Sequence, residues 1–112
     1  MDFKMQRVED VVVMMIEGKL LSEQETSSIR DQIIKDLNSG NMKFIFDLKG
    51  IVFVNSACLN FLVSSKNLIA GKNGTLVLCN VNDQLKKLLT LTKLESFFTI
   101  AGRTADALEM LK

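Results

Sequence analysis

Four times along the chain a short run of β-favouring residues is followed by a segment whose apolar residues recur at helical spacing. Strands separated by helices in this way pair in parallel and bury the sheet under the helices that connect them. The first run, Val11 to Ile16, holds six apolar residues closed by Glu17-Gly18, too short for a helix and suited to a strand. Phe3 to Glu9 alternates ahead of it and is expected to pair with it. Ser22-Glu23-Gln24-Glu25 reads as a capping box, the serine oxygen accepting from a backbone N–H three residues on while Glu25 reaches back. Ile29, Ile33, Ile34 and Leu37 then mark one apolar face, and Asn38-Ser39-Gly40 supplies the stop, which predicts a helix over residues 22–38.

The second run is double. Lys43 to Asp47 predicts a strand, and Ile51 to Val54, beyond a turn expected around Gly50, enters a new element. Asn55 is a strong N-cap, and Cys58, Phe61, Leu62, Ser65 and Ile69 recur on one face of a helix over about 55–70. Asn73-Gly74 tolerates positive φ and turns the chain into Thr75 to Cys79, a buried strand. Asn82 caps a third helix whose leucines 85, 88, 89, 91 and 94 are expected in the core. Phe97 to Ile100 predicts a last strand, and Thr104 the cap of a terminal helix through Leu111. The order is ββαβαβαβα, an α/β fold with a mostly parallel sheet covered by helices.

Composition narrows the chemistry. The 112 residues suit one domain, 1–112, and 47% hydrophobic against 24% charged is globular composition. With no histidine there is no Ser/His or Cys/His nucleophilic pair and no imidazole for a metal. No two acids are spaced for acid/base work, so neither an enzyme nor a cofactor is expected. A net charge of +1 with no basic stripe argues against nucleic acid. Cys58 and Cys79 are too few for a zinc cage or a disulfide scaffold and fit a reducing, cytoplasmic compartment. No run is long enough to span a membrane.

Asn55-Ser56-Ala57-Cys58 is the best functional candidate, because it stands where a strand-like run meets a helix, and N–H groups exposed at a helix start suit an anion. Helix capping by Asn55, with Ser56 filling the first turn, accounts for the same residues without a ligand. Cys58 falls on the apolar face as a buried thiol. Gly71-Lys72-Asn73-Gly74 lacks the ending of a phosphate loop and is read as a turn. Glu9, Glu17 and Asp47 are assigned solvated or turn-capping roles.

The stretch IFDLKGIVFVNSACLNFL resembles the signature of STAS domains, the family of bacterial anti-sigma-factor antagonists, in which a buried strand and Asp-Leu precede Asp-Ser-Ser-Gly-Leu at a helix start. Gly18, Asn73-Gly74-Thr75-Leu76-Val77-Leu78, Leu89-Thr90-Leu91-Thr92-Lys93-Leu94 and Ala107-Leu108 extend the resemblance from Val11 onward. It implies a STAS-like fold and a protein partner, an anti-sigma factor with a histidine-kinase-like ATPase fold that phosphorylates a serine at the start of the second helix. Ala57 stands at that acceptor, Asn55 at the family's Asp, Ser56 at its first Ser and Cys58 at its Gly. Leu21 stands where members often carry an acid. The resemblance thus implies a partner-binding surface at Leu21, Asn55, Ser56 and Ala57 without the usual phospho-acceptor.

The leading expectation is a non-enzymatic protein-binding regulator, either a locked antagonist or a scaffold subunit. A STAS subunit docking on the ATPase of a lipid or anion transporter is one alternative, and a phosphoprotein using Ser56 is another. Homodimerisation stays open.

Overall fold

The computed structural model describes residues 2–18, 23–51 and 56–111. Strands β1 (Asp2–Val8) and β2 (Val11–Gly18) lead to helix α1 (Glu23–Asn38). Strand β3 (Lys43–Ile51), helix α2 (Ser56–Ala70) and strand β4 (Thr75–Cys79) follow. Helix α3 (Asp83–Leu91), strand β5 (Thr99–Ala101) and helix α4 (Thr104–Met110) complete the order. The five strands lie side by side in chain order, β1 antiparallel to β2 and the rest parallel. Parallel crossovers share one hand, so a sheet that grows in one direction receives all its connecting helices on one face.

Burial follows that rule. On one face Val12, Met14, Phe44, Phe46, Leu76 and Leu78 pack with Ile29 and Ile33 of α1, Leu62 of α2 and Leu85 and Leu89 of α3. Residues of opposite parity, Val11, Val13, Ile45 and Val77, face the other way and are covered by Ala107 of α4 and by Leu111. The Val-rich run of β2 is thus apolar throughout because both its faces are buried. The loss of chain freedom at the helix ends is handled locally. Gly40, at φ 94, lets Asn41 N–H reach the Asp36 carbonyl at 2.9 Å and close α1. Asn73 takes φ 62 in the turn before β4. At the next residue, a Cβ on Gly74 would stand 2.8 Å from the Met42 carbonyl oxygen, so only glycine lets this turn pack against the start of β3.

Four expectations are corrected. Gly50 makes no turn, for β3 runs through it to Ile51, with an irregularity in the β2–β3 register between Met15 and Glu17. A Cβ on Gly50 would lie 2.5 Å from Glu17 Cγ, so this glycine serves strand-to-strand approach. The last strand is Thr99–Ala101, not Phe97 to Ile100, because the Leu94 carbonyl accepts from Phe97 N–H at 3.0 Å and keeps that residue in a turn. Thr104 lies inside α4, whose cap position is Arg103 with no side-chain bond, and its hydroxyl sits 3.4 Å from Cys79 Sγ instead. Leu91 is 72% exposed, whereas Leu85 and Leu89 are buried and Leu88 and Leu94 partly so. Ser22 lies outside the described residues, and with it the capping box.

Asn82 caps α3 as expected, its Oδ1 accepting from Leu85 N–H at 2.8 Å, and its Nδ2 also donates to the Ile51 carbonyl at 3.2 Å. Alanine at this position is expected to cost about 1–2 kcal/mol, more than a simple cap on the low side of that range, because the strand contact goes too. Urea denaturation of Asn82→Ala against Asn82→Asp, which keeps the cap and loses the donor, separates the two contributions.

Candidate functional site

Ser56 and Ala57 form the first turn of α2, which follows β3 at the carboxyl edge of the sheet, and both are exposed. The next two residues, Cys58 and Leu59, turn inward and anchor the helix on the core. The apolar face continues through Phe61, Leu62, Ser65 and Ile69, as the spacing predicts. No acid stands in the first turn. Two small, exposed side chains thus stand at the end of the helix toward which its dipole is positive. Asn55 and Leu21, the other two residues assigned to this surface from the sequence, lie outside the described residues, as does any capping by Asn55.

Two polar contacts hold the edge on which α2 starts. Asn82 ties the loop after β4 to the end of β3 through Ile51, as described above. On the other face, Asp47 Oδ1 accepts from Lys49 N–H at 3.0 Å and from Asn80 Nδ2 at 2.9 Å. Asp47 thus lies within β3 and caps no turn, contrary to expectation, and Asn80, which the sequence reading passed over, is its cross-strand partner. The signal was present in the residue type, since Asn80 follows a strand directly and adopts φ 55, a conformation that asparagine tolerates.

Among the described residues no group of three Cys, Asp or Glu could hold a metal ion, and no helix is long and apolar enough to cross a membrane. Cys58 is 2% exposed, and burial pushes its thiol from the ordinary 9.0 up to about 11. Burial also raises Cys79. Since the thiolate is the nucleophile, alkylating reagents are expected to leave Cys58 unmodified in the native protein and to modify it on unfolding.

The folded state keeps a proton that the unfolded chain releases near pH 9, so this group's stabilisation is complete below that value and is lost as pH rises toward 11. Melting temperature should fall across that window, and less steeply in Cys58→Ala.

The family model for the STAS domain matches residues 2–107. No curated protein sequence matches the chain. Among solved structures, an anti-sigma-factor antagonist assignment from Thermotoga maritima superposes with a TM-score of 0.82 at 24% identity, over 96% of this chain and 92% of that one. Phosphorylated SpoIIAA of Bacillus, a cell fate determinant, superposes at 0.76 with 17% identity, over 99% and 100%. A chain from the stressosome, a signal integration and transduction hub, superposes at 0.82 with 18% identity, over 96% and 95%. These identities speak for the fold. The match of the family model over nearly the whole chain, on a sheet and helix order of the same kind, makes the chain a member of the STAS domain family.

Proposed function

We propose that this chain is a non-enzymatic protein-binding regulator of the anti-sigma-factor antagonist kind, bacterial and cytoplasmic, built as one STAS domain over residues 1–112. Its partner is an anti-sigma factor with a histidine-kinase-like ATPase fold, which docks on the start of α2. The observation that supports this reading is the exposure of Ser56 and Ala57 side by side in a first turn free of acids. Leu21 and Asn55 complete the surface.

Ala57 stands at the usual acceptor and offers no oxygen to a phosphoryl group. The surface then stays open to its partner, as a locked antagonist or a scaffold subunit in transcriptional signalling. A tagged chain used as bait in lysate of the source organism is expected to retain one ATPase-fold protein, and its intact mass should not change when that complex receives Mg-ATP. The exposed Ser56 hydroxyl favours a second reading, in which that residue takes over as acceptor. One phosphate mapped to Ser56 would decide for it and against the locked state.

A further inference from the structure

Strand β3 outruns its neighbour β4. The ladder between them ends at Asp47 opposite Cys79, whereas pairing with β2 goes on to Ile51 opposite Gly18. Within that stretch β3 gains one residue on β2, since the step from Met15 to Glu17 is matched by the step from Asp47 to Gly50. An extra residue of this kind reverses the faces beyond it, which is why Leu48 and Ile51, of opposite parity, both join the core under α1, α2 and α3. Past Cys79 the chain leaves the sheet, Asn80 at φ 55 turning it toward α3. Residues 48–51 therefore have no partner strand on the β4 side among the described residues.

Two side-chain amides stand in for that strand. Asn80 Nδ2 donates to Asp47 Oδ1 at 2.9 Å, where the ladder stops, and Asn82 Nδ2 donates to the Ile51 carbonyl at 3.2 Å, where β3 ends. Both asparagines are held from their own side. Asn80 N–H reaches the Gly102 carbonyl, just past β5, at 3.2 Å, Val81 packs on the core, and Asn82 Oδ1 accepts from Leu85 N–H in the first turn of α3. Ile51 is 5% exposed, so a carbonyl there that lost its donor would find little water in exchange. Four residues of chain join Ile51 to Ser56, and where β3 ends thus limits where α2 can begin.

We propose that Asn80 and Asn82 are positioning residues for the start of α2: their amides continue the sheet beyond β4, fix the end of β3 and so set the place of Ser56 and Ala57. The inference rests on the reading that a partner docks on those two residues. Both asparagines act through β3 rather than on the partner. Each also has a backbone or capping duty, and the two duties can be taken apart. Glycine at 80 keeps the left-handed backbone and the N–H bond to Gly102 and removes only the amide. Serine at 82 keeps a capping oxygen for α3 and lacks the amide that reaches Ile51.

The test is the double variant Asn80→Gly with Asn82→Ser in the full chain, held well below its melting temperature and compared with Ala57→Asp. Hydrogen exchange followed by NMR reads the first part without a partner. The Asn60 and Phe61 amides, which a helix beginning at Ser56 bonds to the carbonyls of 56 and 57, should exchange at least about fivefold faster, while the Ile33 amide in the middle of α1 keeps its wild-type rate. Affinity for the ATPase-fold protein retained by the wild-type chain should fall at least about fivefold by titration calorimetry, because a surface held loosely binds poorly. Exchange at Asn60 and Phe61 that is unchanged, or faster only by the factor seen at Ile33, would overturn the proposal and leave the partner reading standing. Faster local exchange with full affinity, while Ala57→Asp weakens binding, would also overturn it. Full affinity in both variants would instead withdraw the partner reading, and the positioning role with it.

Discussion

Phe46→Ala is expected to destabilise the fold by about 3–5 kcal/mol, a large share of the roughly 5–15 kcal/mol that holds a domain of ordinary size together. Phe46 lies on the middle strand, β3, with no exposure, among the residues that receive α1 and α2. Its ring stacks on Phe61 of α2, centroids 5.9 Å apart and planes 7° from parallel. Removing it takes away the apolar transfer energy, the ring contact and the filling of a space that the surrounding side chains cannot close. Leu91→Ala is the control, for a leucine 72% exposed has little transfer energy to lose and its replacement should cost less than about 0.5 kcal/mol. Guanidinium midpoints of the two variants, compared at equal m-values, check the contrast. A Phe46→Ala midpoint within error of wild type would mean that β3 and α2 are not packed as described.

Ala57→Asp is expected to separate folding from binding. The substitution places a negative charge in the first turn of α2, where the helix dipole favours it by about 0.3–1 kcal/mol, and Ala57 is exposed, so no core contact is lost. Melting temperature should hold or rise slightly. In the proposed complex the same charge is buried against the partner, and an unpaired buried charge costs roughly 2–5 kcal/mol. Affinity for the retained ATPase-fold protein should then fall at least about thirtyfold. Titration calorimetry of the purified pair measures it. A well-folded Ala57→Asp chain that binds at full strength would show that the partner docks away from α2, and the proposed surface would be withdrawn.

The elements were legible wherever the determinant was local. Helix α2 follows the spacing of Cys58, Phe61, Leu62, Ser65 and Ile69 because a helix face is set by its own periodicity, and β4 follows five residues bounded by a turn. Asn82 and Asn73 could be assigned from residue type alone, since a cap and a left-handed turn involve only the adjacent backbone. The STAS resemblance was likewise carried by short motifs, and the family model matches residues 2–107.

What the neighbours decide could not be read along the chain. Gly50 has the look of a turn, yet its role depends on Glu17 of the adjacent strand, thirty-three positions away. Thr104 has the look of a cap, yet it lies inside α4 and its hydroxyl meets the Cys79 thiol, twenty-five positions away. Leu89 and Leu91 are the same residue on the same helix, and only the position of the sheet under α3 makes one core and the other surface. Local pattern determines which elements form because hydrogen bonding and capping act over a few residues. Which face is covered, and which side chain finds a partner, is settled by packing between segments far apart in sequence, a property that no window of the chain contains.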